Sequence, residues 1–432
     1  MNRKLALHTK IFIGMLVGIG GGLLVQNTVH DIELIESIVS YVKPVGDIFL
    51  RMIFMMVIPL IFSGLALGIS ELGDLRKIGR IGLITLGFTL VLTSISVLIG
   101  IGMAELFRPG DSLSESDRQV LIERFDTDKN TIDSNARALG SKNFLEILVL
   151  LVPKNPFEDM VRAFDPSYSG GGLLAVMFFT VIFGISLSLA DDKKTQTFKG
   201  FLEGLFEITM KAIHLAMKLA PYGVAALLFA VTARTGWSVF AVLLKYVLVV
   251  IGALAIHQFV TYSIVLKYFV KMSPIYFFSK IKEVLITAFS TSSSNATLPT
   301  AIRVAQEDLK LPRRISNFVL TVGSTANQNG TALYEGITVL FLAQCFGIDL
   351  SLSEQFFVVL ISIISGIGTA GVPGGSLPVI MLILIAVGIP GESIAIIYGV
   401  DRLLDMCRTT LNVTGDIIAT AYVSRFDKTE TE

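Results

Sequence analysis

The chain has 432 residues, of which 53% are hydrophobic and 16% are charged, whereas soluble domains carry about a quarter charged residues. This is more apolar side chain than one soluble core buries, so lipid must solvate part of it. Basic and acidic residues are equal in number, and the zero net charge argues against nucleic acid as a partner. The two cysteines, Cys345 and Cys407, form no metal-binding spacing.

The N-terminal residues are polar and basic, and a glycine-containing apolar run follows them. No small-residue cleavage site comes after this run, so we predict a first membrane helix rather than a signal peptide. A helix needs about 20 apolar residues to cross the hydrocarbon core. The chain then has eight predicted spans, over residues 10–27, 42–70, 79–106, 172–191, 203–233, 238–268, 315–345 and 392–423.

Lysine and arginine clusters indicate how these spans are oriented. They precede the first and seventh spans and follow the second, fourth, sixth and eighth, which places all of them on one side of the membrane. Positive residues accumulate on the cytoplasmic side. We therefore predict a multi-pass protein of the cell (inner) membrane with both termini in the cytoplasm and an extracellular loop over 107–143.

Two further segments, hairpin 1 (about 274–305) and hairpin 2 (about 353–388), are apolar at both ends and interrupted in the middle. The interruption is rich in hydroxyl and amide residues over 290–297, and rich in glycine over 365–376. Irregular backbone at membrane depth is tolerated only inside protein or beside water. We predict two re-entrant helical hairpins; the alternatives are a serine-rich cytoplasmic loop and an ordinary extracellular loop.

Each predicted hairpin is followed by a span with a polar centre, 323–331 after hairpin 1 and 405–416 after hairpin 2. The unit of a hairpin followed by a broken helix thus occurs twice, once from each side of the membrane. This arrangement predicts an inverted repeat. Secondary transporters place substrate and coupling ions where such repeats meet.

Charged and amide residues in the last span recur every three or four positions, which places them on one helix face. They are Asp401, Asp405, Arg408, Asn412 and Asp416. Each charge at mid-membrane costs roughly 2.5–3.5 kcal/mol, so these residues must face a polar interior and pair with each other or with a ligand. The alternative is a self-contained salt bridge from Asp405 to Arg408 that holds helices together.

Five motifs, taken in order, resemble the glutamate/aspartate transporter family, also called dicarboxylate/amino acid:cation symporters, which includes prokaryotic homologues of the excitatory amino acid transporters. They are Val-Pro and Asn-Pro-Phe within 152–157, the serine run before Thr-Leu-Pro at 297–299, and the stretches 327–335, 368–373 and 405–416. The resemblance runs from the first span to about Arg425.

This resemblance implies an all-α integral membrane fold of elevator type, with eight transmembrane helices, two re-entrant hairpins and inverted repeats. Residues 1–70 and 144–233 would form the scaffold of a homotrimer. Residues 71–106 and 238–425 would form a mobile transport domain, and 426–432 a cytoplasmic tail.

The resemblance also implies roles for individual residues. Arg408 would pair with the substrate's side-chain carboxylate, Asp405 with its amino group and Asn412 with its main-chain carboxylate, while Thr331 would donate to the distal carboxylate. The other implied contacts are Ser292, Ser294, Val372, Gly374 and Thr409.

These roles favour aspartate or glutamate as substrate, because a plain C4-dicarboxylate has no amine for Asp405 to bind. A sodium- or proton-coupled C4-dicarboxylate symporter remains an alternative, and an anion channel is the alternative from another class. The chain is not expected to be an enzyme. A carboxylate dyad of Asp405 and Asp416 is excluded, because they lie about 16 Å apart along one helix.

The family's sodium sites match this chain only in part. Sodium-coupled members have an aspartate where this chain has Asn329, and a tyrosine where it has Leu90. Sodium favours anionic oxygen, and an amide is neutral. The candidate residual sodium site consists of the carbonyl groups of Gly323, Asn327 and Asn412 and the carboxylate of Asp416. We predict that sodium coupling is lost or reduced.

Glu335 provides an alternative coupling group. Proton-cotransporting members carry glutamate at this position, and a buried carboxyl group can carry a proton. Its structural alternative is a hydrogen-bond partner only. No cofactor is expected apart from Na⁺ or H⁺ as coupling ion.

Overall fold

The computed structural model describes residues 7–29, 31–70, 80–124, 149, 152–163, 172–368 and 376–426, and these ranges contain helices and no β-strand. The main helices, in chain order, are α1 Leu7–Thr28, α2 Ile32–Phe54, α3 Arg80–Phe107, α4 Gly172–Leu189, α5 Asp192–Met217, α6 Ala220–Thr235, α7 Ser238–Ala255, α8 Lys282–Thr291, α9 Ser294–Glu307, α10 Arg313–Ala326, α11 Asn329–Cys345, α12 Leu352–Gly368, α13 Leu377–Ala386 and α14 Tyr398–Val423. The predicted all-helical class is confirmed for this part of the chain.

Helix α2 begins well before the span predicted over 42–70. Asp31 caps the helix, because its Oδ1 accepts the Glu33 N–H at 2.9 Å. Pro44 lies inside the helix without ending it. The apolar pattern of the sequence therefore predicted only the later part of α2.

The span predicted over 203–233 is two helices rather than one. The axes of α5 and α6 are bent by 56° at their junction, and Pro221 lies in the first turn of α6. Proline is tolerated in a first turn and cannot continue a preceding helix. The polar loop predicted over 107–143 also contains a short helix, Glu115–Arg124.

Four stretches of the described chain are long and apolar enough to cross a membrane, and the bent pair α5–α6 adds a fifth. They are Thr9–Thr28, Glu33–Ser70, Arg80–Ser112 and Phe240–Val270. Helix α14, which carries five charged side chains, is not among these stretches. These helices make the chain a multi-pass membrane protein, while the count of eight spans and their orientation stay predictions.

Both interrupted segments are helical; hairpin 1 consists of a short helix, Pro274–Lys280, followed by the pair α8 and α9. In hairpin 1, α8 ends at Ser292, whose φ of 50° is left-handed, and Ser293 caps α9 by accepting the Ala296 N–H at 3.2 Å. Hairpin 2 consists of α12 and α13, and its tip, with Val372 and Gly374, lies outside the described residues. Hairpin 1 packs on α14, and hairpin 2 packs on α11.

Glycines let α1 approach α6 closely. A Cβ at Gly18 would lie 2.3 Å from the Ala225 carbonyl oxygen, and Gly14 and Gly22 meet α6 in the same way. Gly20 has nothing within 4 Å of such a Cβ. Small residues at one face are the usual means of close helix packing in membranes.

Gly18→Val should lower the thermal midpoint of the purified protein, because overpacking a close contact costs about 1–3 kcal/mol. Gly20→Val, on an open face of the same helix, is the matched control and should leave the midpoint nearly unchanged. Equal shifts in the two variants would contradict the close α1–α6 contact.

Candidate functional site

The site lies where helix α10 ends and α11 begins. Asn327 and Gln328 leave helical geometry between the two helices, yet both are buried. The Gln328 N–H donates to the Gly366 carbonyl oxygen at 3.2 Å, which fixes the break to hairpin 2. Buried non-helical backbone needs such partners.

Asn412 of α14 holds the other side of this break. Its Oδ1 accepts the Gly330 N–H at 2.7 Å, and its Nδ2 donates to Gln328 Oε1 at 2.5 Å and to Thr331 Oγ1 at 3.2 Å. All four residues are buried. The amide of Asn412 therefore joins α14 to the start of α11.

Arg408 is the largest fully buried side chain in the described residues, at 1% exposure. Its Nη2 donates to Asp405 Oδ1 at 2.9 Å and to Asp401 Oδ1 at 3.1 Å. Its Nη1 donates to Ser376 Oγ at 2.8 Å, and its Cζ lies 3.9 Å from the Tyr334 ring centroid. A buried guanidinium needs partners of this kind, because an unpaired charge in a protein interior is costly.

The predicted salt bridge between Asp405 and Arg408 is present, but it does not hold helices together, because both residues belong to α14. The contacts between elements are from Arg408 to Ser376 of hairpin 2 and from the Tyr334 hydroxyl to Asp401 Oδ1 at 2.9 Å. If Arg408 changes its hydrogen-bond partners, the contacts of α14 with hairpin 2 and with α11 therefore both change.

The tip of hairpin 1 brings hydroxyl groups into the interior. Ser292 and Ser294 are 1% and 2% exposed, and their Oγ atoms have no hydrogen-bond partner among the described residues. A buried hydroxyl without a partner costs free energy. These two groups are therefore available to a ligand. Thr409, on the face of α14 next to Arg408, is also buried.

The candidate sodium residues lie close together, because Asn412 and Asp416 are one turn apart on α14 and both Asn327 and Gly323 contact Asp416. Asn327 Nδ2 donates to Asp416 Oδ1 at 2.8 Å, and a Cβ at Gly323 would lie 2.5 Å from that oxygen. Asn327 Oδ1 is buried with no partner in the described chain. The side-chain amide of Asn412 contacts Gly330, whereas the predicted ligand is its carbonyl group. A carboxylate beside a free amide oxygen suits a hard cation.

Asn329, where the family pattern has an aspartate, has partners on both sides of its amide. Thr93 Oγ1 donates to its Oδ1 at 2.6 Å, and its Nδ2 donates to the Tyr262 hydroxyl at 3.1 Å. Ser96 Oγ donates to its carbonyl oxygen at 2.8 Å. The oxygen and the nitrogen of the Asn329 amide thus each have a partner within the protein.

Glu335 is fully buried on α11. Its Oε1 accepts from Ser365 Oγ of α12 at 2.8 Å, while its Oε2 has no partner in the described part of the chain. One oxygen thus contacts hairpin 2 and the other is free to hold a proton.

Several residues at this site were not assigned a role from sequence. Asp401 was part of the charged face of α14 but received no function, and Tyr334, Ser376 and Ser365 were not singled out. Arg402 also contacts Asp405, with 3.4 Å between its Nη1 and Oδ2. Of these contacts, only the one between Arg402 and Asp405 could have been predicted from sequence, because residues three apart on a helix are neighbours.

The sequence model of the sodium:dicarboxylate symporter family matches residues 7–426. The proton/sodium-glutamate symport protein of Geobacillus stearothermophilus is 33% identical over 98% of this chain and 95% of its own length. The proton/glutamate-aspartate symporter of Escherichia coli K12 is 33% identical over 99% and 94%. The excitatory amino acid transporter 3 of Oryctolagus cuniculus is 30% identical over 90% and 79%. The chain therefore belongs to the sodium:dicarboxylate symporter family.

Proposed function

We propose that this chain is a secondary active transporter of acidic amino acids, aspartate or glutamate, in the cell membrane. The proposal is carried by the buried pair of Arg408 and Asp405. A guanidinium binds a carboxylate in two-pronged geometry, and a carboxylate binds an ammonium. The glutamate and glutamate-aspartate symporters among the relatives support the same substrate class.

Arg408 and Asp405 form an ion pair with each other, with 2.9 Å between Nη2 and Oδ1. An acidic amino acid offers an anion to Arg408 and a cation to Asp405, so it replaces both partners at once. The hydroxyls of Ser292 and Ser294 donate to it from hairpin 1, and Asn412 with Thr331 orients it at the helix break. Thr409 lines the site, and Val372 with Gly374 closes it from hairpin 2.

We further propose that transport follows an elevator mechanism in a homotrimer. Residues 1–70 and 144–233 act as scaffold, and residues 71–106 and 238–425 carry the substrate. Two groups of contacts support this division: α6 packs on both α1 and α2, while α3 packs on α11, α12 and α14.

Arg408→Ala should weaken aspartate binding by more than about thirtyfold, because removing one partner of a buried charge pair costs about 2–5 kcal/mol. Binding of a neutral amino acid should be unchanged or improved, which also shows that the variant folds. Titration of purified protein measures both.

Arg234→Ala is the control, since Arg234 pairs with Glu36 between α6 and α2. It should leave aspartate affinity unchanged. Wild-type affinity in Arg408→Ala would refute the assignment of the substrate carboxylate to Arg408.

We propose that sodium coupling is reduced at Asn329, since its amide is hydrogen-bonded within the protein. Aspartate binding by the wild-type chain should persist when choline replaces sodium. Asn329→Asp should make the thermal midpoint sodium-dependent, because a buried carboxylate next to Thr93 and Tyr262 needs a cation.

Asn317→Asp is the matched control for that variant, because Asn317 is exposed and its Oδ1 accepts from Gln306. Its midpoint should not respond to sodium beyond the wild-type response. Loss of wild-type binding in choline would overturn the proposal of reduced coupling.

We propose the proton as coupling ion and Glu335 as its carrier, supported by its complete burial and its free Oε2. Glu335→Gln keeps an oxygen that can accept from Ser365 but removes the titrating group. In proteoliposomes, it should abolish the stimulation of aspartate uptake by an inward proton gradient.

Glu354→Gln is the control for Glu335→Gln, because Glu354 also accepts from a serine hydroxyl, that of Ser351, but in a solvent-exposed hydrogen bond. It should keep the full response to the gradient. A response equal to wild type in Glu335→Gln would show that Glu335 is a structural hydrogen-bond partner only.

A further inference from the structure

Asp405 contacts two guanidinium groups, one at each oxygen. Arg408 Nη2 lies 2.9 Å from its Oδ1, and Arg402 Nη1 lies 3.4 Å from its Oδ2. The Arg402 side chain is 18% exposed, and its Nε is buried without a partner in the described chain. The Arg402 guanidinium is mostly buried and pairs with the Asp405 carboxylate. Its charge therefore makes the electrostatic potential at Asp405 more positive.

The four charged side chains at this end of α14 have no net formal charge. Asp401 and Asp405 are negative, Arg402 and Arg408 are positive, and all four belong to α14. When a substrate carboxylate takes Arg408, the remaining cation beside Asp405 is Arg402. Its charge then lies next to the position proposed for the substrate's amino group.

We propose that Arg402 is a specificity-determining residue, whose positive charge at Asp405 sets the ratio of affinities for acidic substrates with and without an amino group. The inference rests on the proposed function. An ammonium at Asp405 lies near a like charge and must compete with Arg402 for Oδ2. A dicarboxylate without an amine meets no such competition.

The net charges of the ligands act in the same direction. Aspartate carries one net negative charge at neutral pH and succinate carries two, so removal of Arg402 weakens attraction for succinate more. It also frees Asp405 for the ammonium of aspartate. Both effects raise the preference for aspartate over succinate, whatever happens to the absolute affinities.

The test uses Arg402→Gln in the full-length protein, with aspartate and succinate competing for the site in the same preparation. We expect the ratio of the two dissociation constants to shift by about tenfold toward aspartate, which corresponds to a modest screened charge interaction. Arg402→Lys retains the charge and should keep the wild-type ratio. In uptake, the change should appear in KM and not in the maximal rate.

Arg118→Gln is the matched control. The Arg118 side chain is also 18% exposed, pairs with a carboxylate three residues away, Glu115, and has a buried Nε without a partner. It lies in the short helix Glu115–Arg124 that follows α3. The ratio should not change in this variant.

The outcomes separate the two proposals. If wild-type protein binds aspartate and Arg402→Gln leaves the ratio unchanged, the specificity role is wrong and the proposed function stands. A shift in Arg402→Lys as large as in Arg402→Gln would also exclude a role through charge. If wild-type protein binds no acidic amino acid, both proposals fail.

Discussion

The constraint on which this site depends is the burial of the Arg408 guanidinium. Its partners come from three elements: Asp401 and Asp405 on α14, Ser376 at the start of α13, and the ring of Tyr334 on α11. Loss of one partner of a buried ion pair costs about 3–5 kcal/mol, because the remaining charge is uncompensated. Movement of hairpin 2 away from α14 would remove the Ser376 hydroxyl from Arg408 Nη1, while the ion pairs with Asp401 and Asp405 would remain. Under the proposed function, the substrate carboxylate would take the place of that hydroxyl at Arg408.

The break between α10 and α11 is held by the same elements that surround Arg408. In a continuous helix, the backbone N–H groups would bond only to carbonyl oxygens of the same helix. At the break, the Gln328 N–H donates to hairpin 2 and the Gly330 N–H donates to Asn412 of α14. Backbone outside regular structure is tolerated at membrane depth only where other parts of the protein satisfy it. The elements that bind the break are thus also those that contact Arg408. Hairpin 2, α11 and α14 form one polar network inside an apolar protein.

Residues close in sequence were predictable, and contacts between distant elements were not. The spacing from Asp401 to Asp416 placed these side chains on one face of α14, and the serine run correctly located the turn at Ser292. Helix periodicity does not say which groups meet across helices, so the contacts of Ser376 and Tyr334 with this face were missed. Several predicted helix boundaries were wrong, because caps and prolines decide where a helix begins and hydropathy does not detect them.

The two predicted cation positions differ in what their residues require. At Asn329, Thr93 donates to the oxygen and Tyr262 accepts from the nitrogen, so the neutral side chain has a protein partner at each end. At Asp416, the partner is the amide of Asn327, and no arginine or lysine in the described chain forms an ion pair with it. A buried carboxylate with only an amide partner is stable when a proton or a cation joins it. The neutral Asn329 therefore needs no cation to balance it, whereas the buried carboxyl groups of Asp416 and Glu335 need a proton or a cation. We therefore expect ion dependence to be found at these two carboxylates.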